Sequence, residues 1–491
     1  MKKRFRAVSK SPRTFWKLGL ALGCLTALSL VVVACSSGSG ASSASGMGTV
    51  TVTVSDPATC QAPNGPYAAV WVTITEVDVN MSSTATSSSS GWTDYKLPKP
   101  QQVNLLGTPQ TGCFLATLGD NLELQAGTYQ QIRLKLAPNS GTVYGSNCNG
   151  ANNCVVLSDN SVHTLNLSSE AQTGIKIPAA NIASGGFTVG AGKTEDLDIN
   201  FLTCDSIIKE GNGQYRLLPV LRAGEVNTTS NSINGTVLDA SGSPINGIVT
   251  VTLEQKDTSG IDREVMSQTA DSNGTWVICP VTMGNTSDPY DIVITAENSA
   301  GTMMYAPAII TGVSVGDTTG TVKLQPGTTN SVVTLNGAVN SVNSSNTGVS
   351  IDVLSSVLEQ VNSTWYTIPV TLEPASNPAQ VLSQNPLTTA QTPSSPTLTN
   401  PACNPLTAYC ASYSYGVPSS GAYYGAWSTT GTSLTAPTAA TPTTYKVDGI
   451  VTGGTCTQSE LMTPAVNSPF STTLPTIMQT LSFAGCTAPA S

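Results

Sequence analysis

Short runs that alternate polar and β-branched residues, separated by Gly, Asn and Pro, recur along the chain. Residues 48–54 read Gly-Thr-Val-Thr-Val-Thr-Val, and further apolar-rich runs occur at 69–79, 290–296 and 445–451. A period of two is typical of a strand with one buried face, whereas long helices need Ala, Leu, Glu and Lys. Only 10% of the residues are charged, and 44 glycines and 30 prolines supply turns. We therefore expect an all-β, multidomain protein of antiparallel β-sandwiches.

The N-terminus has the pattern of an export signal. Seven basic residues and no acid precede an apolar run at 18–34, which ends in Val-Val-Ala before Cys35. Small residues suit a peptidase site, and a thiol after the cut can carry a lipid, so residues 1–34 resemble a lipoprotein signal peptide. An uncleaved transmembrane helix and a cut before Cys24 are the alternatives. Cleavage at the first site leaves Cys35 as the lipidated residue and 35–47 as a Ser/Gly-rich tether.

Lipid on Cys35 would make the membrane a partner of this chain. Ser36, rather than an acid, follows the cysteine. By analogy with sorting in other bacteria, this predicts a lipid-anchored envelope protein at the outer membrane or cell surface.

The charge balance excludes one class of partner. The chain carries −9, and because the first 34 residues hold seven basic side chains and no acid, the remaining 457 residues carry −16. Nucleic-acid binding needs clustered Lys and Arg, so we predict none.

Twelve cysteines are present. Removing Cys24 and lipidating Cys35 leaves ten, and an even set in an exported chain predicts disulfides rather than a metal site. Cys148 with Cys154, and Cys403 with Cys410, are the local candidates; the other pairings stay open.

Three regions follow the tether, at 48–225, 232–325 and 326–491, and the third contains a Ser/Thr/Pro-rich loop near 374–407. The first resembles the bacterial domain of unknown function 4382, on five ordered blocks at 67–74, 103–106, 126–134, 173–177 and 211–220. Leu218 replaces a Lys that is usual in that family. The resemblance implies an exported β-rich domain and no known activity.

The second region is similar to the carboxypeptidase-regulatory-like, transthyretin-like β-sandwich. The similarity rests on a Gly-x-Val-x-Asp-x-x-Gly-x-Pro segment at 235–244, the turn at 271–274 and the strand at 290–296. Such domains are non-catalytic accessory modules, and the fold group includes carbohydrate binders. The third region resembles no family that we can name.

Few residues suggest catalysis. His163 is the single histidine, and it reads as a strand residue. The Gly-x-Ser-x-Gly segment at 312–316 lacks the helix that a nucleophile elbow requires. Asp196, Asp198 and Asn200 share a strand face and offer oxygen ligands, but a solvated face is the favoured interpretation. We predict no enzyme activity, no metal and no cofactor, and keep a hydrolase using acidic residues as a remote alternative.

One group of aromatic residues suggests a binding site. Six rings fall within 19 residues of a chain that is 5% aromatic: Tyr409, Tyr413, Tyr415, Tyr423, Tyr424 and Trp427. Rings can stack on sugars, cover a protein contact or fill a β-core, and the core is the favoured alternative. The sequence thus predicts a non-catalytic binding protein whose first candidate ligand is a polysaccharide. The alternative is a structural or adhesion module that contacts envelope proteins.

Overall fold

The computed structural model describes most of the chain beyond its N-terminus, and the described residues are 46–56, 67–86, 88–107, 113–167, 174–210, 212–226, 232–257, 259–283, 289–327, 332–370, 387–391, 409–437, 443–467 and 477–488. The signal peptide, Cys24, Cys35 and most of the tether lie outside these residues. In the described part, no helix is long and apolar enough to cross a membrane.

The structure confirms the all-β class, because strands form nearly all regular structure within the described residues. In the described part of the chain, the helical elements are one short α-helix, α1 (Thr203–Ser206), and 3-10 turns at Ala179–Asn181 and Ala183–Gly185.

The first region forms fourteen strands around the largest apolar core. They are β1 (Met47–Ser55), β2 (Tyr67–Asn80), β3 (Thr93–Asn104), β4 (Ala116–Gln125), β5 (Gly127–Tyr129), β6 (Gln131–Leu136), β7 (Cys154–Leu157), β8 (Val162–Leu167), β9 (Ile175–Pro178), β10 (Phe187–Val189), β11 (Thr194–Phe201), β12 (Ile207–Lys209), β13 (Tyr215–Leu217) and β14 (Leu221–Val226). A sheet containing β1, β4, β11 and β14 and an eight-stranded sheet centred on β2 contribute apolar residues to this core.

The second region contains eight strands and a separate apolar core. They are β15 (Ile233–Asp239), β16 (Gly247–Lys256), β17 (Ile261–Thr269), β18 (Thr275–Ile278), β19 (Thr282–Met283), β20 (Tyr290–Asn298), β21 (Ala308–Val313) and β22 (Thr318–Leu324).

The described residues of the third region form eleven strands around a third core. They are β23 (Val332–Ser341), β24 (Asp352–Val361), β25 (Thr364–Ile368), β26 (Leu387–Thr388), β27 (Ala390–Gln391), β28 (Tyr409–Pro418), β29 (Tyr423–Ala426), β30 (Thr444–Gly453), β31 (Glu460–Met462), β32 (Val466–Asn467) and β33 (Ile477–Phe483). Most of the predicted loop at 374–407 lies outside the described residues, and β26 and β27 are the part that is described.

Most strand pairs are antiparallel, but the first strand of each region is also paired in parallel with a late strand of the same region. These pairs are β1 with β11, β15 with β22 and β23 with β33. Each region thus brings its own beginning and end together, although the boundaries at 48–225, 232–325 and 326–491 remain predictions.

The regions also share sheets, which the sequence did not indicate. β14 pairs with β19, while parallel pairs of β17 with β25 and β21 with β29 join the second and third regions in one eleven-stranded sheet.

Disulfides, predicted as a class, are confirmed. Among the described residues, bonds join Cys113 to Cys279, Cys148 to Cys154 and Cys456 to Cys486. Cys410 is also disulfide-bonded, whereas Cys403 lies outside the described residues. The bond between Cys113 and Cys279 links the first region to the second.

Candidate functional site

The predicted aromatic group does not form one surface. Tyr413 and Tyr415 are each only 2% exposed, and both belong to the third core. Their ring centroids are 5.7 Å apart, and the Tyr415 hydroxyl donates to the backbone oxygen of Ser355 at 3.0 Å. A ring without an exposed face cannot stack on a sugar, so a ligand-binding role for these two tyrosines is wrong.

The other four rings are half-buried and lie in different surroundings. Tyr409 begins β28, and Tyr423 and Tyr424 lie on β29. Tyr424 packs edge-on against Tyr366, with ring centroids 6.4 Å apart, while Trp427 packs against the core of the second region. Binding by these four remains a prediction.

The polar face of β11 is buried rather than solvated. Asp198 is 0% exposed and accepts hydrogen bonds from Thr53 Oγ1 at 2.9 Å and from the Ser55 hydroxyl. Burial raises the pKa of Asp198 to about 6. Asn200 donates to Ser55 Oγ at 3.1 Å. The expectation of a solvated face is therefore wrong for Asp198 and Asn200, because β1 supplies hydroxyl partners.

His163 lies on β8, and its surroundings do not have the order of a catalytic triad. Its Nε2 lies 3.1 Å from Ser161 Oγ, but that hydroxyl also donates to Asp159 Oδ1 at 2.6 Å. In a triad the imidazole lies between the acid and the hydroxyl. Here the serine lies between the acid and the imidazole.

Three carboxylates in the first region lie close enough to hold a metal ion: Glu76, Asp78 and Asp94 have oxygens within 4.8 Å of one another. However, Lys135 Nζ lies 2.6 Å from Glu76 Oε1 and 2.9 Å from Asp78 Oδ2. The ammonium therefore occupies the place between these two carboxylates that a cation would need. Burial, together with the Glu76 carboxylate, raises the pKa of Asp78 to about 7.

The same network also contacts Thr86 and Trp92, which precede β3. Arg133 stacks 3.7 Å from the ring centroid of Trp92, donates to the Thr86 carbonyl at 3.1 Å and lies 3.9 Å from Asp78. These contacts hold Thr86 and Trp92 against the sheet, so the cluster is best explained as structural.

An open groove lies beside β3, where this strand is an edge of its sheet. β3 pairs with β2 alone among the described strands, and Lys96, Pro98, Lys99 and Pro100 are typical of a protected edge. The groove encloses about 370 Å³, within the range of small-ligand sites. Its lining residues are Trp71, Gln101, Gln102, Val103, Asn104, Gly107, Leu115, Ala116 and Thr117.

The strand register assembles the groove. Trp71 of β2 lies opposite Asn104 of β3 on one side and Cys154 of β7 on the other. Its indole packs against the small cluster formed by Cys148, Ala151 and Cys154, so the disulfide supports the ring.

The carboxamides are held by defined bonds. Gln101 Nε2 donates to the Thr117 carbonyl at 3.1 Å, across to β4. Asn104 Oδ1 accepts from the N–H groups of Val70 at 3.2 Å and Leu106 at 3.1 Å, which forms an Asx-type turn after β3.

Gln102 forms the wall beside the disulfide loop. Its Nε2 donates to the Asn152 carbonyl at 3.3 Å, and its Oε1 accepts from Asn147 Nδ2 at 2.9 Å. A half-buried indole next to fixed amides can stack on a flat apolar face and hydrogen-bond the polar groups around it.

This groove was not predicted from the sequence. The available signal was Trp71, which lies out of phase with the buried Val70, Val72 and Ile74 and therefore faces away from the core.

Comparison with known proteins identifies the first region. Residues 47–219 match the family model described as a domain of unknown function (DUF4382), which confirms the predicted resemblance. No curated protein matches the chain. The similarity of the second region to the carboxypeptidase-regulatory-like sandwich remains a prediction.

Solved structures give only remote similarities. The chain is 10% identical to the Bacillus anthracis TIE protein, 12% to GBS52, the minor pilin of Streptococcus agalactiae, and 8% to a streptococcal ancillary pilin. The superpositions cover 89%, 53% and 89% of this chain and 51%, 99% and 99% of those chains, with TM-scores of 0.14, 0.16 and 0.16. The chain thus spans about half of the TIE protein, and TM-scores this low carry no argument about function.

Proposed function

We propose that this protein is a lipid-tethered, non-catalytic component of the bacterial cell envelope that binds a polysaccharide in the groove beside β3. The observation that carries the proposal is the lining of that groove, where Trp71 lies among Gln101, Gln102 and Asn104. Stacking of a sugar on the indole supplies binding energy without any catalytic step, and the amides orient the sugar hydroxyls.

The acidic groups at the junction of the second and third regions do not support the hydrolase alternative. Glu254, Asp262 and Glu359 are each no more than 1% exposed. A general acid or base must reach its substrate, so these carboxyls are better explained as structural.

Affinity electrophoresis of the full chain, extracted in detergent, against bacterial and plant polysaccharides can distinguish the groove from the aromatic group as the binding site. We expect at least one polymer to retard the protein, Trp71→Ala to abolish the retardation and Trp427→Ala to preserve it. If Trp427→Ala abolished the retardation and Trp71→Ala preserved it, the binding site would be the aromatic group. No retardation of the unaltered chain would contradict polysaccharide binding and favour a module that contacts envelope proteins.

The tether is tested at Cys35, which lies in the pattern of a lipidated cysteine after a signal peptide. Cells fed radioactive palmitate should label the normal chain and leave Cys35→Ser unlabelled. A Cys24→Ser variant is the matched control and should still be labelled. Label retained by Cys35→Ser would show that the lipid is elsewhere.

We propose an outer-membrane or cell-surface location because Ser36, rather than an acid, follows Cys35. Surface proteolysis of intact cells tests this location.

A further inference from the structure

Among the residues that the structure describes, those that line the groove have one property in common: none of them is ionisable. They offer an indole, three carboxamides, a threonine hydroxyl and small or aliphatic side chains. This described lining therefore contains no Lys or Arg that could pair with a carboxylate or sulfate, and no acid that could pair with an amine.

Two of the amides in the lining each have one end engaged in a hydrogen bond within the protein. Asn104 uses Oδ1 for two backbone N–H groups, which leaves its Nδ2 donors. Gln101 uses Nε2 for the Thr117 carbonyl, which leaves its Oε1 acceptor. A fixed donor and a fixed acceptor in the lining of one groove suit hydroxyl groups, because each hydroxyl both donates and accepts. Such pre-organisation reduces the entropy lost on binding.

The charge of the whole chain acts in the same direction. It carries −9, with 29 acidic against 20 basic residues, and seven of those basic residues lie in the predicted signal peptide. A polyanion approaching the mature protein would meet a field of its own sign. In the groove its charges would lose water without gaining a cationic partner, and both effects disfavour it.

We infer that the groove selects uncharged sugar chains and rejects acidic ones, with Gln101 and Asn104 as the residues that determine this specificity. The inference rests on the proposed function, since it names the ligand class of the same site. It excludes uronic-acid and sulfated polymers as ligands of this groove.

The test compares each neutral polymer with its own carboxymethylated form, so that backbone and linkage are held constant. Affinity electrophoresis of the full chain should show at least one neutral polymer that binds about tenfold or more tightly than its carboxymethylated form. Equal or tighter binding of the charged form overturns the inference but leaves polysaccharide binding standing. Binding of neither form to any polymer overturns the proposed function itself.

A charge placed in the groove should change the preference. Gln101→Lys supplies a cation there, and we expect it to raise the affinity for the carboxymethylated form relative to the neutral form. Gln125→Lys adds the same charge at an exposed position of β4 that does not line the groove, and it should leave the ratio of the two affinities unchanged. Equal effects of both variants would show that net charge, rather than the groove, sets the preference.

Discussion

At the scale of single residues, neighbours in the sequence have separate roles. Tyr413 and Tyr415 share a face of β28 that points into the third core, whereas Tyr424 and Trp427 contact parts of the second region. Alternation along a strand shows which residues share a face but not which face is buried. The density of rings in the sequence therefore could not distinguish a core from a binding surface.

This difference predicts unequal effects of truncation. Tyr413→Ala should destabilise the protein by about 3 kcal/mol, because it leaves a cavity in the core, yet preserve polysaccharide binding. Urea denaturation and affinity electrophoresis measure the two effects. The half-buried Tyr423 is the matched control, and Tyr423→Ala should cost clearly less stability. Selective loss of binding in Tyr413→Ala at unchanged stability would contradict its placement.

The charged cluster on β2 and β6 gives a second prediction at this scale. Lys135→Met removes the cation between Glu76 and Asp78 and should lower the free energy of unfolding by about 2 kcal/mol, because Asp78 is fully buried. Lys96→Met is the control, since Lys96 is exposed. Equal unfolding midpoints in urea for both variants would show that the Lys135 contacts are energetically unimportant.

At the scale of elements, buried charged groups connect the second and third regions. Glu254 Oε2 accepts from the Thr367 N–H at 3.0 Å across the junction, and within the third region Glu359 Oε1 accepts from the Ala422 N–H, immediately before β29, at 2.8 Å. Arg263 of β17 forms ion pairs with Asp448 and Glu460 on β30 and β31. The shared sheet therefore depends on polar contacts between residues far apart in sequence.

The second and third regions should lose stability as the pH rises. Burial raises the pKa of Glu359 to about 8; burial, together with the Asp291 carboxylate, raises that of Asp262 to about 7; and burial raises that of Asp291 to about 6. Carboxyls with raised pKa values contribute stability that is complete below about pH 4 and is lost as the pH rises through those values. We expect the Tm to be lower at about pH 8.5 than at about pH 5, by roughly 5 °C.

Glu359→Gln provides the control for this prediction. The amide keeps an oxygen that can accept from the Ala422 N–H but cannot ionise, so the difference in Tm between the two pH values should shrink. An unchanged difference would show that Glu359 does not contribute to the pH dependence.

The strands themselves were largely predictable, and their partners were not. β1, β2, β20 and β30 follow from local alternation and turns. The pairing of Ile261 with Trp365 and of Asp262 with Tyr366 joins residues about a hundred positions apart. Such pairs form only when two folded regions dock, and alternation carries no information about docking.

At the scale of the whole molecule, three apolar cores are joined by shared sheets and by the bond between Cys113 and Cys279. The groove, in contrast, belongs to the first region alone. It combines Trp71, residues 101–104, Gly107 and residues 115–117, which become neighbours only through the register of β2 with β3 and the approach of β4. The sequence therefore did not locate the groove.

Hydrogen–deuterium exchange shows whether the groove beside β3 binds neutral polysaccharide. The full chain is measured in detergent with and without a mixture of soluble neutral oligosaccharides. We expect slower exchange in peptides spanning 101–104 and 115–117, with 423–427 unchanged. Unchanged exchange in both groove peptides, with or without protection elsewhere, would show that the groove is not the binding site.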